Sequence, residues 1–295
     1  MKKPKLKLIW LQSITCNGNA HSFLNHPELF NILENYQLIY HPLLNSVNTI
    51  EDLYTKELEC DILILEGAFK RVGFTKFDKE VYTIAKAYSN RAKWIITAGT
   101  CATFGGIFQE ADNISGFVFN SELKKENFNT YKDKLISIPG CPIHPKWIGF
   151  ALDMIANGKK ILLDDMLRPK ELFASTVHQG CVRNEYFEWK VDTKGFGTKE
   201  GCLFYELGCQ APYTRGSCNK IAWNEVSSKT RVGTPCFGCT EPTFPKNSLF
   251  KTKTNMSIPK NVPLGVPKRA YLTMTGVAKG FKIERLEKRL IDYED

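Results

Sequence analysis

At 295 residues, with 43% hydrophobic and 24% charged side chains, the chain can build one large domain or two, and it is too apolar to be a disordered tail. Its formal charge of +9 comes from dispersed lysines, densest at the N-terminus and between Lys251 and Arg289. No arginine-rich helix or basic–aromatic repeat points to nucleic acid, and no run of about 18 apolar residues could span a bilayer.

Met1-Lys2-Lys3-Pro4-Lys5 leads straight into a strand-like run from Lys7 to Gln12, with no signal-length apolar region and no twin-arginine leader. A cytoplasmic chain with reduced thiols is expected, with peripheral membrane association left open. A loop carrying Cys16 follows, then a helix near His26 to Asn35 and a strand from Gln37 to His41. Asp61 to Leu65 is a continuous apolar run ending in Glu66-Gly67, as a buried parallel strand reads. Cys60, just before it, reads as a core thiol. Lys79 to Ser89 has helical spacing. Lys93 to Thr97 is another buried strand, ending in Ala98-Gly99-Thr100-Cys101. Leu135 to Ile138 ends in Pro139-Gly140-Cys141-Pro142, and Trp147 to Asn157 is a helix closed by Gly158.

This alternation predicts an α/β domain with a parallel sheet. In such sheets ligands bind beyond the carboxyl ends of the strands. Cys16, Glu66, Cys101 and Cys141 all follow strands, so they can converge on one edge. From about Ile161 the periodicity weakens, and Gly, Pro, Cys and aromatic residues dominate. A domain boundary is placed near Asn157–Leu163, giving domains 1–157 and 158–295. The second domain is expected to take its order from metal ligation rather than from a large core.

Six of the ten cysteines and one of the five histidines lie between His178 and Cys239. They read His178-x2-Cys181, Cys202-x6-Cys209, Cys218 and Cys236-x2-Cys239. Thiolates with an occasional imidazole are iron–sulfur ligands, and this density favours electron transfer. Structural zinc stays open. It prefers paired Cys-x2-Cys knuckles, however, and here only Cys236/Cys239 has that form, with His178/Cys181 a loose second.

The ordered series resembles the small, electron-transferring subunit of nickel–iron hydrogenases over nearly the whole chain. The carriers are Cys16 in Ser13-Ile14-Thr15-Cys16-Asn17-Gly18-Asn19, Glu66-Gly67, Gly99-Thr100-Cys101-Ala102 and Pro139-Gly140-Cys141-Pro142. They continue with His178-x2-Cys181, Gly201-Cys202 to Gly208-Cys209, Ser217-Cys218-Asn219-Lys220 and Pro235-Cys236-Phe237-Gly238-Cys239. The Cys202–Cys209 spacing, the Ser227 to Arg231 stretch and the start of the chain look like the cytosolic uptake and hydrogen-sensing group.

The resemblance implies a flavodoxin-like N-terminal domain, an irregular iron–sulfur C-terminal domain and three clusters. The proximal cluster, 4Fe–4S or 3Fe–4S, would use Cys16, Cys101 and Cys141. The medial one, 3Fe–4S, would use Cys218, Cys236 and Cys239, with Ser228 a weak oxygen ligand to consider. The distal one, 4Fe–4S, would use His178, Cys181, Cys202 and Cys209. The usual proximal motif is Cys-x2-Cys. Here its second position is Asn19, which becomes a doubtful fourth ligand, and His21 is a surface or hydrogen-bonding histidine by preference. Glu66 would lie near the catalytic partner, as a proton relay or a loop partner. The implied function is to relay electrons from H2 oxidation to an acceptor, as part of a hydrogenase whose nickel site lies in a large subunit. The alternative is a sensing or assembly role with little turnover. Implied partners are that large subunit and an acceptor protein, a quinone or a signalling partner; higher oligomers of the heterodimer are left open. A respiratory NADH–quinone subunit shares the first domain but lacks the cysteine-rich second one.

Overall fold

The computed structural model describes residues 4–109, 113–119, 127–193, 195–245, 250, 254–255, 258–259, 262 and 264–279. The chain divides into two compact units, Met1–Leu172 and Phe173–Asp295.

The first unit is built on a five-stranded parallel sheet: β1 (Leu6–Gln12), β2 (Tyr36–Tyr40), β3 (Ile62–Glu66), β4 (Trp94–Ala98) and β5 (Leu135–Ile138). Their order is β2-β1-β3-β4-β5, the flavodoxin-like winding, whose switch point lies between β1 and β3. Ile62 to Leu65 are fully buried, as a central parallel strand covered on both faces requires. Each such aliphatic side chain contributes roughly 1.5–3 kcal/mol of burial. Ile9, Leu11, Leu63, Leu65 and Ile95 share one core with Val81, Ala85 and Tyr88 of helix α2 (Val81–Arg91). Those three residues recur at helical spacing, so α2 lays a narrow apolar face on the sheet. Toward the other face, Trp10 stacks on Phe23 of helix α1 (Gly18–Leu24) at 5.7 Å. Tyr36 donates its hydroxyl to the Leu152 carbonyl of helix α4 (Pro145–Ala156) at 2.5 Å.

Register decides where the chemistry can be. Gln12 pairs with Glu66, Glu66 with Ala98 and Ala98 with Ile138, so four strands end in one row. The loops bearing Cys16, Cys101 and Cys141 all leave from that row.

Three differences from the sequence reading have physical causes. The helix expected over His26 to Asn35 shrinks to Leu29–Leu33. Pro27 disfavours helix at His26, and the chain turns there, with the Leu29 N–H bonded to the His26 carbonyl. The Cys16 loop turns directly into α1, and Cys101 lies on helix α3 (Thr100–Phe104). Both helices are too short for a periodic signal. The unit boundary falls at Leu172, later than Asn157–Leu163. Leu167 packs in the first core and its carbonyl accepts the Ser137 N–H of β5, which keeps this strap with the sheet.

Among its described residues the second unit has little regular structure. Helix α5 (Asn184–Glu188) and helix α6 (Lys268–Lys279) flank a run of turns. Its core gathers Val177, Phe187, Leu203, Phe204, Ala211 and Tyr271 with three thiols, Cys202, Cys209 and Cys236.

Candidate metal centres

In the first unit the Cys16 loop is pinned to the end of β3. Ser13 donates to the Glu66 carbonyl at 2.8 Å, and Ile14 and Ala68 exchange backbone bonds at 3.1 and 2.8 Å. Gly67 permits this approach: its φ is +92°, and a Cβ there would stand 2.4 Å from the Ile14 carbonyl oxygen. A Cβ on Gly18 would lie 3.2 Å from Cys16 Sγ and 3.6 Å from Pro142 Cβ, so the Cys16 and Cys141 loops are neighbours. Thr100 donates to the Gly140 carbonyl at 3.0 Å, joining the Cys101 and Cys141 loops. The Cys101 thiol is pushed up first by burial, then by the Cys16 and Glu66 charges. These three thiols therefore sit on mutually bonded loops at one sheet edge, with Cys16 exposed and the other two half-buried.

Glu66 is fully buried at their base. Its Oε2 accepts the Trp10 indole N–H and the Gln12 amide, each at 2.9 Å. Its Oε1 accepts the Asn19 and Ala20 peptide N–H groups at 3.0 and 3.3 Å. Within this chain the carboxylate anchors the start of α1 to β1 and β3. Asn19, weighed as a doubtful ligand, has both ends of its amide engaged by backbone. His21 is exposed on α1. Cys60 is a buried thiol of the sheet core, pushed up to about 12 by burial.

In the second unit, His178 opens a tight turn and packs edge-on against Phe187 at 4.4 Å. Burial pushes its pKa down to about 4, so the imidazole is neutral, the form that ligates metal. Arg183 is buried two residues after Cys181. Its guanidinium donates to the carbonyls of Thr230 and Gly201, each at 2.7 Å, of Glu200 at 3.2 Å, and of Thr198. Its charge faces the thiols of Cys181, Cys202 and Cys209. Burial pushes Cys202 and Cys209 up to about 12. Burial also raises Cys218, with Cys236 and Cys239 adding to it. The two thiol groups meet where Cys236 N–H donates to Cys209 Sγ at 3.2 Å. Ser228, weighed as an oxygen ligand, spends its hydroxyl proton on Asn219 Oδ1 at 2.5 Å. Asn219 in turn accepts Thr230 and donates to the Val177 carbonyl. Arg183 and Asn219 were not singled out from the sequence as functional, since a lone arginine or asparagine carries no spacing signal.

The donor set fits iron–sulfur chemistry. None of the ten cysteines is in a disulfide. Four sulfurs accept peptide N–H groups: Cys181 from Arg183 at 3.4 Å, Cys202 from Phe204 at 3.4 Å, Cys209 from Cys236, and Cys236 from Gly238 at 3.5 Å. Such bonds favour thiolate and tune cluster potential. Among the described residues no three His, Cys, Asp or Glu side chains stand close enough to hold a single ion. A cluster spreads its ligands over several irons.

Residues 16–155 match the family described as NADH ubiquinone oxidoreductase, 20 Kd subunit. Residues 173–251 match the family that describes the C-terminal part of the NiFe/NiFeSe hydrogenase small subunit. The chain is 32% identical to the F420 non-reducing hydrogenase I small subunit of Methanosarcina mazei, over 82% of this chain and 74% of that one. It is 27% identical to the uptake hydrogenase small subunit of Azotobacter vinelandii, over 94% and 80% of the two chains. The solved reduced, active NiFeSe hydrogenase of Desulfomicrobium baculatum is similar with a TM-score of 0.67 at 26% identity, covering 85% of this chain and 100% of that chain. The first family match alone would leave a respiratory complex open; the second, which spans His178 to Cys239, decides against it. Small subunits of this kind carry iron–sulfur clusters and pair with a large subunit that holds the nickel–iron centre. The chain belongs to the nickel–iron hydrogenase small subunits, the electron-transfer components of an oxidoreductase acting on H2.

Proposed function

We propose that this chain holds three iron–sulfur clusters and passes electrons from H2 oxidation in its large subunit to an acceptor protein or quinone in the cytoplasm. The proximal site uses Cys16, Cys101 and Cys141. The medial site uses Cys218, Cys236 and Cys239, and the distal site uses His178, Cys181, Cys202 and Cys209. When bound, the clusters supply reversible one-electron redox chemistry. The chain's own residues set the conditions. Neutral His178 brings no negative charge to its site, and the buried Arg183 cation faces the same thiols; both favour a higher potential at the outer end. Peptide N–H groups at Cys181, Cys202 and Cys209 work in the same direction. Among the described residues no helix is long and apolar enough to cross a membrane.

The observation that best supports this reading is the Cys236 N–H bond to Cys209 Sγ, a direct contact between the two thiol groups read here as successive sites. The test is iron, sulfide and zinc analysis of the natively purified pair, joined to EPR under redox titration. The expected outcome is iron and acid-labile sulfide in similar amounts, no zinc, and a co-eluting nickel subunit. Stoichiometric zinc without sulfide would sink it.

A further inference from the structure

Position 19 is where the resemblance expects a fourth proximal thiolate, and the chain has asparagine there. Asn19 is 7% exposed. Its Nδ2 donates to the Ala98 carbonyl at 3.1 Å, and its Oδ1 accepts the Ile143 N–H at 3.0 Å. Its own N–H goes to Glu66 at 3.0 Å. Ala98 ends β4 and leads to Cys101; Ile143 follows Cys141; Glu66 ends β3. Gly99 adds an independent sign that the amide belongs here. Its φ is +96°, and a Cβ there would stand 2.4 Å from Asn19 Nδ2. The chain has left room for this side chain against bare backbone.

A carboxamide donates and accepts at one branched end, so it can join a carbonyl of one loop to an N–H of another. A thiol offers one weakly bonding atom and can replace neither bond. An aspartate keeps the acceptor for Ile143 but sets an oxygen against the Ala98 carbonyl.

We propose that Asn19 is a positioning residue and not a ligand. It ties the loops of Cys101 and Cys141 to the Cys16 loop, and the first-unit site is built for three protein thiolates. This rests on the reading that those cysteines hold a cluster. Residue 19 gives that cluster no fourth ligand.

The test compares the purified wild-type pair with Asn19→Ala, Asn19→Cys and Asn19→Asp. Iron is counted by Mössbauer spectroscopy, clusters are followed by EPR, and amide exchange is measured at Ile143. In Asn19→Ala and Asn19→Cys the proximal signature weakens alike, with iron held ten- to hundred-fold less tightly, as loss of an outer-shell partner does. Asn19→Asp recovers part of it, because one bond survives. Medial and distal signals stay unchanged in all three, which a general folding defect would not allow. Exchange at Ile143 rises about tenfold in Asn19→Ala. A fully occupied four-thiolate proximal cluster in Asn19→Cys would overturn the proposal. So would unchanged exchange at Ile143 in Asn19→Ala, a readout that needs no cluster. If wild type itself shows no proximal cluster, the functional reading fails, and the exchange result still judges the clamp.

Discussion

In the first unit, Cys16, Cys101 and Cys141 hang from loops that leave a finished sheet, where Gln12, Glu66, Ala98 and Ile138 stand in one row. In the second unit, Cys202, Cys209 and Cys236 are themselves core residues, packed with Phe187, Phe204 and Tyr271 among turns. The first arrangement has its shape before any metal arrives, because aliphatic burial and strand pairing have already fixed the loops. The second buries thiols that burial holds protonated, with Cys202 and Cys209 pushed up to about 12. Ligation there must displace protons, and it returns that cost as order. Under the proposed site assignment, one chain uses metal in two ways: as a guest on a scaffold and as part of the core.

The sharpest way to break this contrast is to remove the iron. Reductive chelation of the purified subunit is expected to leave slow amide exchange in β1, β3 and β4 while nearly all protection between Val177 and Cys239 disappears. Hydrogen exchange read by mass spectrometry checks it. Equal loss in both units, or protection kept in the second, would show that the two cores do not differ in this way.

How much of this could be read from sequence follows the same division. The Leu135–Ile138 strand was legible at both ends, and the β3 and β4 strands to within a residue, because continuous apolar runs bounded by glycine have few other readings. The row of loop cysteines followed from strand order alone. Helices α1 and α3 were not legible: one opens on Asn17 at φ 62° and the other on Gly99, and neither is long enough to show a period. The clamp at Asn19 was hidden for a different reason. Its partners lie 79 and 124 residues away, so the residue looked like a missing ligand until the fold brought Ala98 and Ile143 to it. In the second unit the cysteines and His178 were visible in the sequence, but the bonds by which Arg183 and Asn219 hold the turns together had no spacing signal.

A smaller effect tests whether the first unit's stability is its own. His41 is buried edge-on to Trp10, with ring centres 5.0 Å apart, and its Nδ1 accepts the Leu43 and Leu44 N–H groups. Burial pushes its pKa from 6.5 down to about 4. The unfolded chain therefore takes up a proton below pH 6.5 that the folded unit refuses. The neutral ring's contribution is fully present above that pH and is lost as pH falls through 4, an effect of about 3 kcal/mol. Acid unfolding of the sheet, followed through Trp10 and Trp147, should be shallower across this window in His41→Gln than in wild type. Identical pH slopes would place the acid sensitivity elsewhere.

The smallest effect concerns charge beside the second unit's thiols. Lys229 is exposed, yet its Nζ sits 3.8 Å from the centre of the Phe237 ring, and Phe237 lies between Cys236 and Cys239. Its charge also reaches Cys218. Arg183, by contrast, is buried and tied to four carbonyls, so its charge is weakly screened and its removal would disturb the turns as well. Lys229 gives the cleaner electrostatic measurement because little else depends on it. Lys229→Gln should lower the medial potential by about 10–40 mV, the range of an exposed charge pair. Lys229→Arg should hold it, since a guanidinium stacks on the same ring. The difference between the two variants should shrink at high salt, where an exposed charge is screened within a few ångström. EPR-monitored titration of the medial signal reads all three. A potential unmoved in Lys229→Gln at low salt would mean that the cation over Phe237 does not act on the medial site, leaving burial and the N–H bonds to sulfur to set its potential.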